Sequence, residues 1–197
     1  MKCVIATSNK GKLAEIAPIV QAFGFEALPQ NQFGFADAEE TGLSFVENAL
    51  IKARHACSQT GLPALADDSG IIIDALNGAP GLISAHYAGV HGDSAGNIAK
   101  VLSELAQLKN PVRTARFYCC MVLLKHVNDP QPIIAEGIWH GEILPAPLGE
   151  QGFGYDPIFW DAVHQMSAAQ MSAELKNRIS HRGQALAQLQ LKLQTHG

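Results

Sequence analysis

Four groups of residues have the types and spacing to do chemistry. Thr7-Ser8-Asn9-Lys10-Gly11-Lys12 follows a short apolar run and precedes an amphipathic pattern. It reads as a strand-to-helix turn, where helix-start N–H groups and Lys12 attract anions. It is not a Walker A loop, which needs a different glycine-lysine spacing. The second group is acidic: Asp37, Glu39 and Glu40, then Asp67 and Asp68. Carboxylates that converge repel one another unless a hard cation neutralises them, and Mg2+ is the cation that bridges such oxygens to phosphates. The third is Gly152-Phe153-Gly154-Tyr155-Asp156-Pro157. Glycines around an aromatic let backbone approach a flat ligand, Phe153 or Tyr155 offers a stacking face, and Asp156 accepts from a ring N–H. The fourth is Ser180-His181-Arg182-Gly183 with Lys176 a turn earlier, a cationic cluster in which arginine gives planar, bidentate recognition.

Each group also has a plain reading: a capped turn with solvated lysines, an acidic loop, an Asx-capped turn at Asp67-Asp68-Ser69-Gly70, a buried aromatic turn, and helix-end charge. Taken together they complement one another. Two cationic groups suit a polyphosphate and a base, carboxylates suit Mg2+, and a Gly-aromatic loop suits a nucleobase. No Ser-His-Asp or Cys-His order emerges, and the other histidines (55, 86, 91, 126, 140, 164 and 196) lack metal-ligand spacing. The residues therefore point to a Mg2+-dependent enzyme acting on a nucleotide polyphosphate.

These groups need elements to hold them. Residues 2–6 read as a strand, followed by a helix capped by Asn9, with Leu13, Ile16, Ala17 and Val20 on one stripe. Pro18 inside that stripe predicts a kink or an early end. Residues 29–43 read as loop. Ser44 and Glu47 form a capping box for the next helix, whose apolar face carries Val46, Ala49, Leu50 and Ala53 and whose other faces carry Lys52 and Arg54. Residues 63–70 read as a strand ending in a polar turn, and 71–76 as a separate strand. Asp93 caps a helix bearing Ile98, Val101 and Leu105. Residues 115–125 form the longest strand candidate. Residues 133–144 read as strand, glycine break, strand, and 168–176 and 182–193 as helices. Strands alternate with helices, which predicts an α/β protein on a largely continuous sheet.

The chain has 197 residues, 47% of them hydrophobic and 16% charged. That predicts one globular domain, in two lobes rather than two independent parts, and excludes a disordered chain or coiled coil. A net charge of −4 and the lack of a basic-aromatic stripe argue against nucleic-acid binding. No apolar stretch is long enough for a membrane span or a signal peptide. Cys3, Cys57, Cys119 and Cys120 form no CxxC pair and read as reduced, buried thiols in a cytoplasmic protein.

The segments Thr7–Lys12, 39–53, 64–70, 76–89, 152–159 and 180–186, in this order, resemble the inosine/xanthosine triphosphate pyrophosphatase family. The match reaches from Thr7 to Leu186. The resemblance implies an elongated mixed β-sheet flanked by helices in two lobes with the active site in the cleft between them, and a homodimer. It implies hydrolysis of ITP, dITP and XTP to the monophosphate and pyrophosphate, keeping these nucleotides out of DNA and RNA. It places the triphosphate on Thr7, Ser8, Asn9, Lys10, Gly11 and Lys12. Asp68 becomes the general base or a metal ligand, Glu39 with Asp67 and Asp68 the Mg2+ site, and Ser69 a substrate contact. Phe153, Gly154, Tyr155 and Asp156 form the base pocket, finished by Lys176, His181 and Arg182. Glu39 and Glu40 are adjacent alternatives for the metal.

Three positions depart from the family pattern: Ser8 and His86 stand where glycine and arginine are common, and Pro18 is unusual. Two other functions compete. A pyrophosphatase for modified pyrimidine nucleotides is opposed by the GFGYD and SHR motifs. A nucleotide sensor without turnover is opposed by the Asp67-Asp68 pair.

Overall fold

The structure, a computed structural model, describes residues 1–195 without the side chains of Ile19 and Thr195; His196 lies outside the described residues. Its strands are β1 (Lys2–Ile5), β2 (Glu26–Pro29), β3 (Ala64–Ile73), β4 (Thr114–Leu124), β5 (Ile133–Ile143), β6 (Phe159–Asp161) and β7 (Met166–Ser167). The helices are α1 (Lys10–Ala22), α2 (Phe45–Thr60), α3 (Ser94–Ala106), α4 (Ala173–Ile179) and α5 (His181–Thr195). The sheet order is β2-β1-β3-β4-β5-β6-β7. β1 runs parallel to β2 and β3, whereas β5, β6 and β7 pair antiparallel. The expected α/β class and mixed sheet are therefore present.

The chain divides into two compact units. The first comprises Met1–Asp68, Cys119–Gly137 and residues from Gln184 onward; the second comprises Ser69–Tyr118 and Ile138–Gly183. Each has its own apolar cluster. In the first, Ile5, Leu65, Met121, Ala135, Ile16 and Leu186 pack together. In the second, Ile71, Ile73, Val101, Leu105, Phe117, Trp139 and Phe159 do. Burial of such side chains supplies the main favourable term of folding.

Local signals behave as read at three helix starts. Asn9 Oδ1 accepts from the Gly11 and Lys12 N–H groups. Ser44 accepts from Glu47 N–H, while Glu47 accepts from Leu43 N–H and Ser44 Oγ–H. Asp93 accepts from Gly96 N–H.

Five expectations are corrected. β3 is one ten-residue strand that passes through Asp67-Asp68-Ser69-Gly70 without a turn. Side-chain cations meet both carboxylates, so the sheet accommodates charge that the sequence presents as a break. β5 likewise runs through Gly137 unbroken, because ladder bonds override the low strand propensity of glycine. Residues 168–176 are not one helix: Ser167 and Gln170 close a capping box around a short 3-10 turn, and α4 starts afresh after Ser172. Finally, α1 is not shortened at Pro18 and continues to Ala22. The loop expected at 29–43 also begins with the last residue of β2 and a 3-10 turn over Gln30–Phe33.

Candidate active site

The first unit carries the acidic and phosphate-type groups. Successive side chains of a strand point to opposite faces, and Asp67 and Asp68 are successive residues of β3. Asp67 Oδ2 lies 3.1 Å from Lys12 Nζ at the start of α1. Asp68 meets α2 instead: Oδ1 accepts from Lys52 Nζ at 2.9 Å and Oδ2 from Asn48 Nδ2 at 3.4 Å. Asn48 and Lys52 are four residues apart on one helix, so they share a face. Both Asp carboxylates are buried, at 1% and 5% exposure. Each charge is thus balanced by a lysine from a different helix.

Lys52 does more than pair with Asp68. Its ammonium also lies 3.2 Å from Glu40 Oε1, so one cation touches two carboxylates. Burial pulls the Lys52 amine down, but the attraction of Asp68, Asp67 and Glu40 outweighs it and holds the group above its ordinary value. Burial pushes the Asp68 carboxyl up to about 6, against the opposing pull of Lys52 and Lys12. A carboxyl raised in this way can take up a proton near neutral pH.

Of the other expected residues in this unit, Ser8, Asn9 and Lys10 are exposed and Thr7 is half-buried. Thr7 Oγ1 accepts from Asn9 N–H. The Gly11 and Lys12 N–H groups are engaged by the Asn9 cap, so charge here comes from the lysine ammonium groups. Glu39, expected beside Asp67 and Asp68, is exposed on the same loop; its neighbour Glu40 holds the place beside Lys52. No three His, Cys, Asp or Glu side chains are grouped as a metal-binding set among the described residues.

The second unit carries the aromatic and basic groups. Phe153 is 38% exposed. Lys176 Nζ lies 4.7 Å and the Arg182 guanidinium carbon 5.9 Å from its ring centroid, a cation–π arrangement. Asp156 Oδ2 accepts from the Phe153 N–H at 2.8 Å and from Lys176 Nζ at 2.6 Å. Gly152 has φ +78°, and a Cβ there would fall 2.0 Å from Asp156 Oδ2; only glycine allows this loop to close over that carboxylate. Gly154, at φ +62°, turns the chain between Phe153 and Tyr155. Arg182 Nη2 donates to Ser69 Oγ at 3.1 Å. His181 stacks on Phe117, with centroids 4.7 Å apart.

Tyr155 is different. It is buried at 4% exposure and its hydroxyl donates to the Ser84 carbonyl. Of the two stacking faces the sequence offers, Phe153 is therefore the accessible one and Tyr155 is core. Sequence reasoning passed over Asn48 and Lys52. The signal was present in their four-residue spacing beside Ala49 and Ala53, but nothing local said that β3 would bring Asp68 to that face.

The chain matches the Ham1 family over residues 3–192. It is 56% identical over 192 residues to the dITP/XTP pyrophosphatase of Xylella fastidiosa (strain 9a5c), covering 98% of this chain and 96% of that protein. It is 48% identical over 188 residues to the dITP/XTP pyrophosphatase of Vibrio cholerae, covering 95% and 94%. Among solved structures, a HAM1 protein from Coxiella burnetii superposes with a TM-score of 0.92 at 50% identity, covering 99% of each chain. The Staphylococcus aureus Ham1 protein does so with 0.88 at 36% identity over the full length of both.

Proposed function

The chain belongs to the Ham1 family, and from that premise we propose that it hydrolyses dITP, ITP and XTP to the monophosphate and pyrophosphate, keeping these nucleotides out of DNA and RNA. The observation that carries the chemistry is the buried Asp68 carboxylate, held between Lys52 and Asn48 with Glu40 on the same ammonium. We treat residues 1–197 as one catalytic domain.

The donor set fits Mg2+. Glu40 and Asp68 both lie against the Lys52 ammonium, so their hard oxygens face one neighbourhood, and Mg2+ is commonly held by one or two carboxylates plus phosphate oxygens and water. Two carboxylates rather than three are consistent with that chemistry, and Asp67 is held by Lys12. Bound there, Mg2+ supplies charge neutralisation for the phosphates.

The residues of the chain do the rest. Asp68 accepts the proton of a water that attacks the α-phosphorus. The new bond forms from the water oxygen, and the bond to the bridging oxygen of the pyrophosphate breaks. Lys12 and Lys52 stabilise negative charge that grows on the leaving group and on the reacting phosphate. Thr7, Ser8, Asn9, Lys10 and Gly11 surround the triphosphate at the start of α1. In the second unit, Phe153 stacks on the base, while Lys176, His181 and Arg182 read its acceptor edge and Ser69 touches the substrate. Asp156 orients Lys176 and the Phe153 backbone. A 6-keto group satisfies these donors. The 6-amino group of ATP leaves one unpaired, which gives strong rejection.

Further readings follow the family resemblance: a homodimer in solution and a cytoplasmic enzyme, the latter supported by four buried cysteines. Among the described residues no helix is long and apolar enough to cross a membrane. The deciding experiment incubates the protein with Mg2+ and, separately, ITP, XTP, GTP, ATP and UTP, and quantifies nucleotide products and pyrophosphate. Monophosphate and pyrophosphate from ITP and XTP, with little from the others, are the expected products. Diphosphate and orthophosphate would reverse the phosphate placement, and tight ITP binding without product would make the protein a sensor.

A further inference from the structure

Asn48 is a buried polar side chain, 2% exposed, that faces two ways. Its Oδ1 accepts from the Gly42 N–H at 2.8 Å and its Nδ2 donates to Asp68 Oδ2 at 3.4 Å. The next loop amide, Leu43 N–H, goes to Glu47 Oε2 at 2.9 Å. Two consecutive amides of the acidic loop are thus docked on two consecutive side chains in the first turn of α2. The fit is close: a Cβ on Gly42 would lie 2.6 Å from Glu47 Cβ and 2.7 Å from Asn48 Oδ1. Glu40 is two residues back along this loop. One turn further along α2, Lys52 meets Glu40 and the second oxygen of Asp68.

We propose that Asn48 is a positioning residue for the two metal-binding carboxylates: its amide ties the loop backbone at Gly42 to Asp68, and so sets the separation of Glu40 from Asp68 at which one cation touches both. The inference rests on the hydrolase reading above for the identity of that cation. The two carboxylates belong to different parts of the chain, Asp68 to β3 and Glu40 to the irregular segment before α2. The Asn side chain is suited to the task because its amide has an acceptor for the loop and a donor for the carboxylate. Groups that orient metal ligands in this way typically contribute about 10- to 100-fold in metal affinity or activity.

The test uses two variants that break the tether from opposite sides. Asn48→Ala removes both bonds. Gly42→Ala leaves the sequence of α2 unchanged and forces the loop off Glu47 and Asn48. Three readouts are taken on each: Mn2+ affinity by electron paramagnetic resonance without nucleotide, amide exchange of the peptide spanning residues 38–44, and the Mg2+ concentration for half-maximal ITP hydrolysis. Both variants should weaken Mn2+ binding by about tenfold and raise the Mg2+ requirement in step. Asn48→Ala should speed exchange of the Gly42 amide, with KM for ITP at saturating Mg2+ within about twofold of wild type, since base contacts are untouched. Wild-type Mn2+ affinity in both variants overturns the proposal, and so does faster exchange with unchanged Mn2+ affinity, which makes Asn48 a loop staple only. If Asn48→Ala does not fold, Gly42→Ala decides. If the wild type releases no pyrophosphate, the hydrolase reading falls, while the Mn2+ titration still decides whether Asn48 positions a cation site.

Discussion

Lys52 Nζ sits 2.9 Å from Asp68 Oδ1, and that contact joins a helix face to a strand interior. It sets two opposing pulls on a carboxylate at 5% exposure. Burial alone favours the protonated acid, whereas the ammonium favours the ionised base. The balance leaves Asp68 at about 6, so near neutral pH the group is ionised and still able to take a proton.

Asp68→Asn should lower kcat for ITP by at least about 100-fold, the usual scale for a general base, with the far-ultraviolet circular dichroism of the wild type. Steady-state kinetics with pyrophosphate detection checks this. Wild-type turnover in the variant would remove Asp68 from the proton-accepting role.

Lys52→Met should move the acid limb of the kcat/KM profile to higher pH. The sign follows from the charges: Lys52 lowers the Asp68 pKa, so its loss lets burial push the carboxyl further up. An acid limb that stays in place shows that Lys52 does not tune this group.

Stability should respond to pH in the opposite sense. Asp68 is raised from an ordinary 3.8 to about 6 in the folded chain, so the folded state prefers the protonated acid. Its contribution is fully present below about pH 4 and is lost as the pH rises through about 6. Compared with Asp68→Asn, the wild type should therefore lose unfolding temperature across that window, which differential scanning calorimetry reads directly.

Arg182→Ala should raise KM for ITP by about 10- to 100-fold, the range of one hydrogen bond to a charged group, and change kcat less. Gly152→Ala should raise KM as well, because its Cβ would displace the Asp156 carboxylate that holds Lys176. Unchanged kinetics in both variants would separate the Phe153 loop from substrate recognition.

Cys3, Cys57, Cys119 and Cys120 are all buried, and burial pushes the Cys3 and Cys120 thiols up to about 12. The native protein should give almost no fast reaction with Ellman's reagent at pH 8, and four thiols should appear in denaturant. A thiol that titrates within minutes in the native state would contradict this packing.

The sequence by itself determined what neighbours along the chain decide. Asn9, Ser44 and Asp93 cap their helices because a short polar side chain needs only amides two or three residues away. Residues 115–124 form a strand because a long β-prone run has little alternative, and the ordered motifs from Thr7 to Leu186 were enough to recognise the family. What depends on distant partners was decided only by the tertiary structure. Asp67-Asp68-Ser69-Gly70 looks like a turn until Lys12 and Lys52 balance its charges inside β3. Glu39 and Glu40 are equivalent in one dimension, and the ammonium of Lys52 separates them. Phe153 and Tyr155 are equivalent aromatics until the Ser84 carbonyl takes the tyrosine hydroxyl into the core. In each case the deciding energy is a through-space charge or a buried hydrogen bond between residues far apart in sequence, and that is fixed by the packing of elements rather than by local propensity.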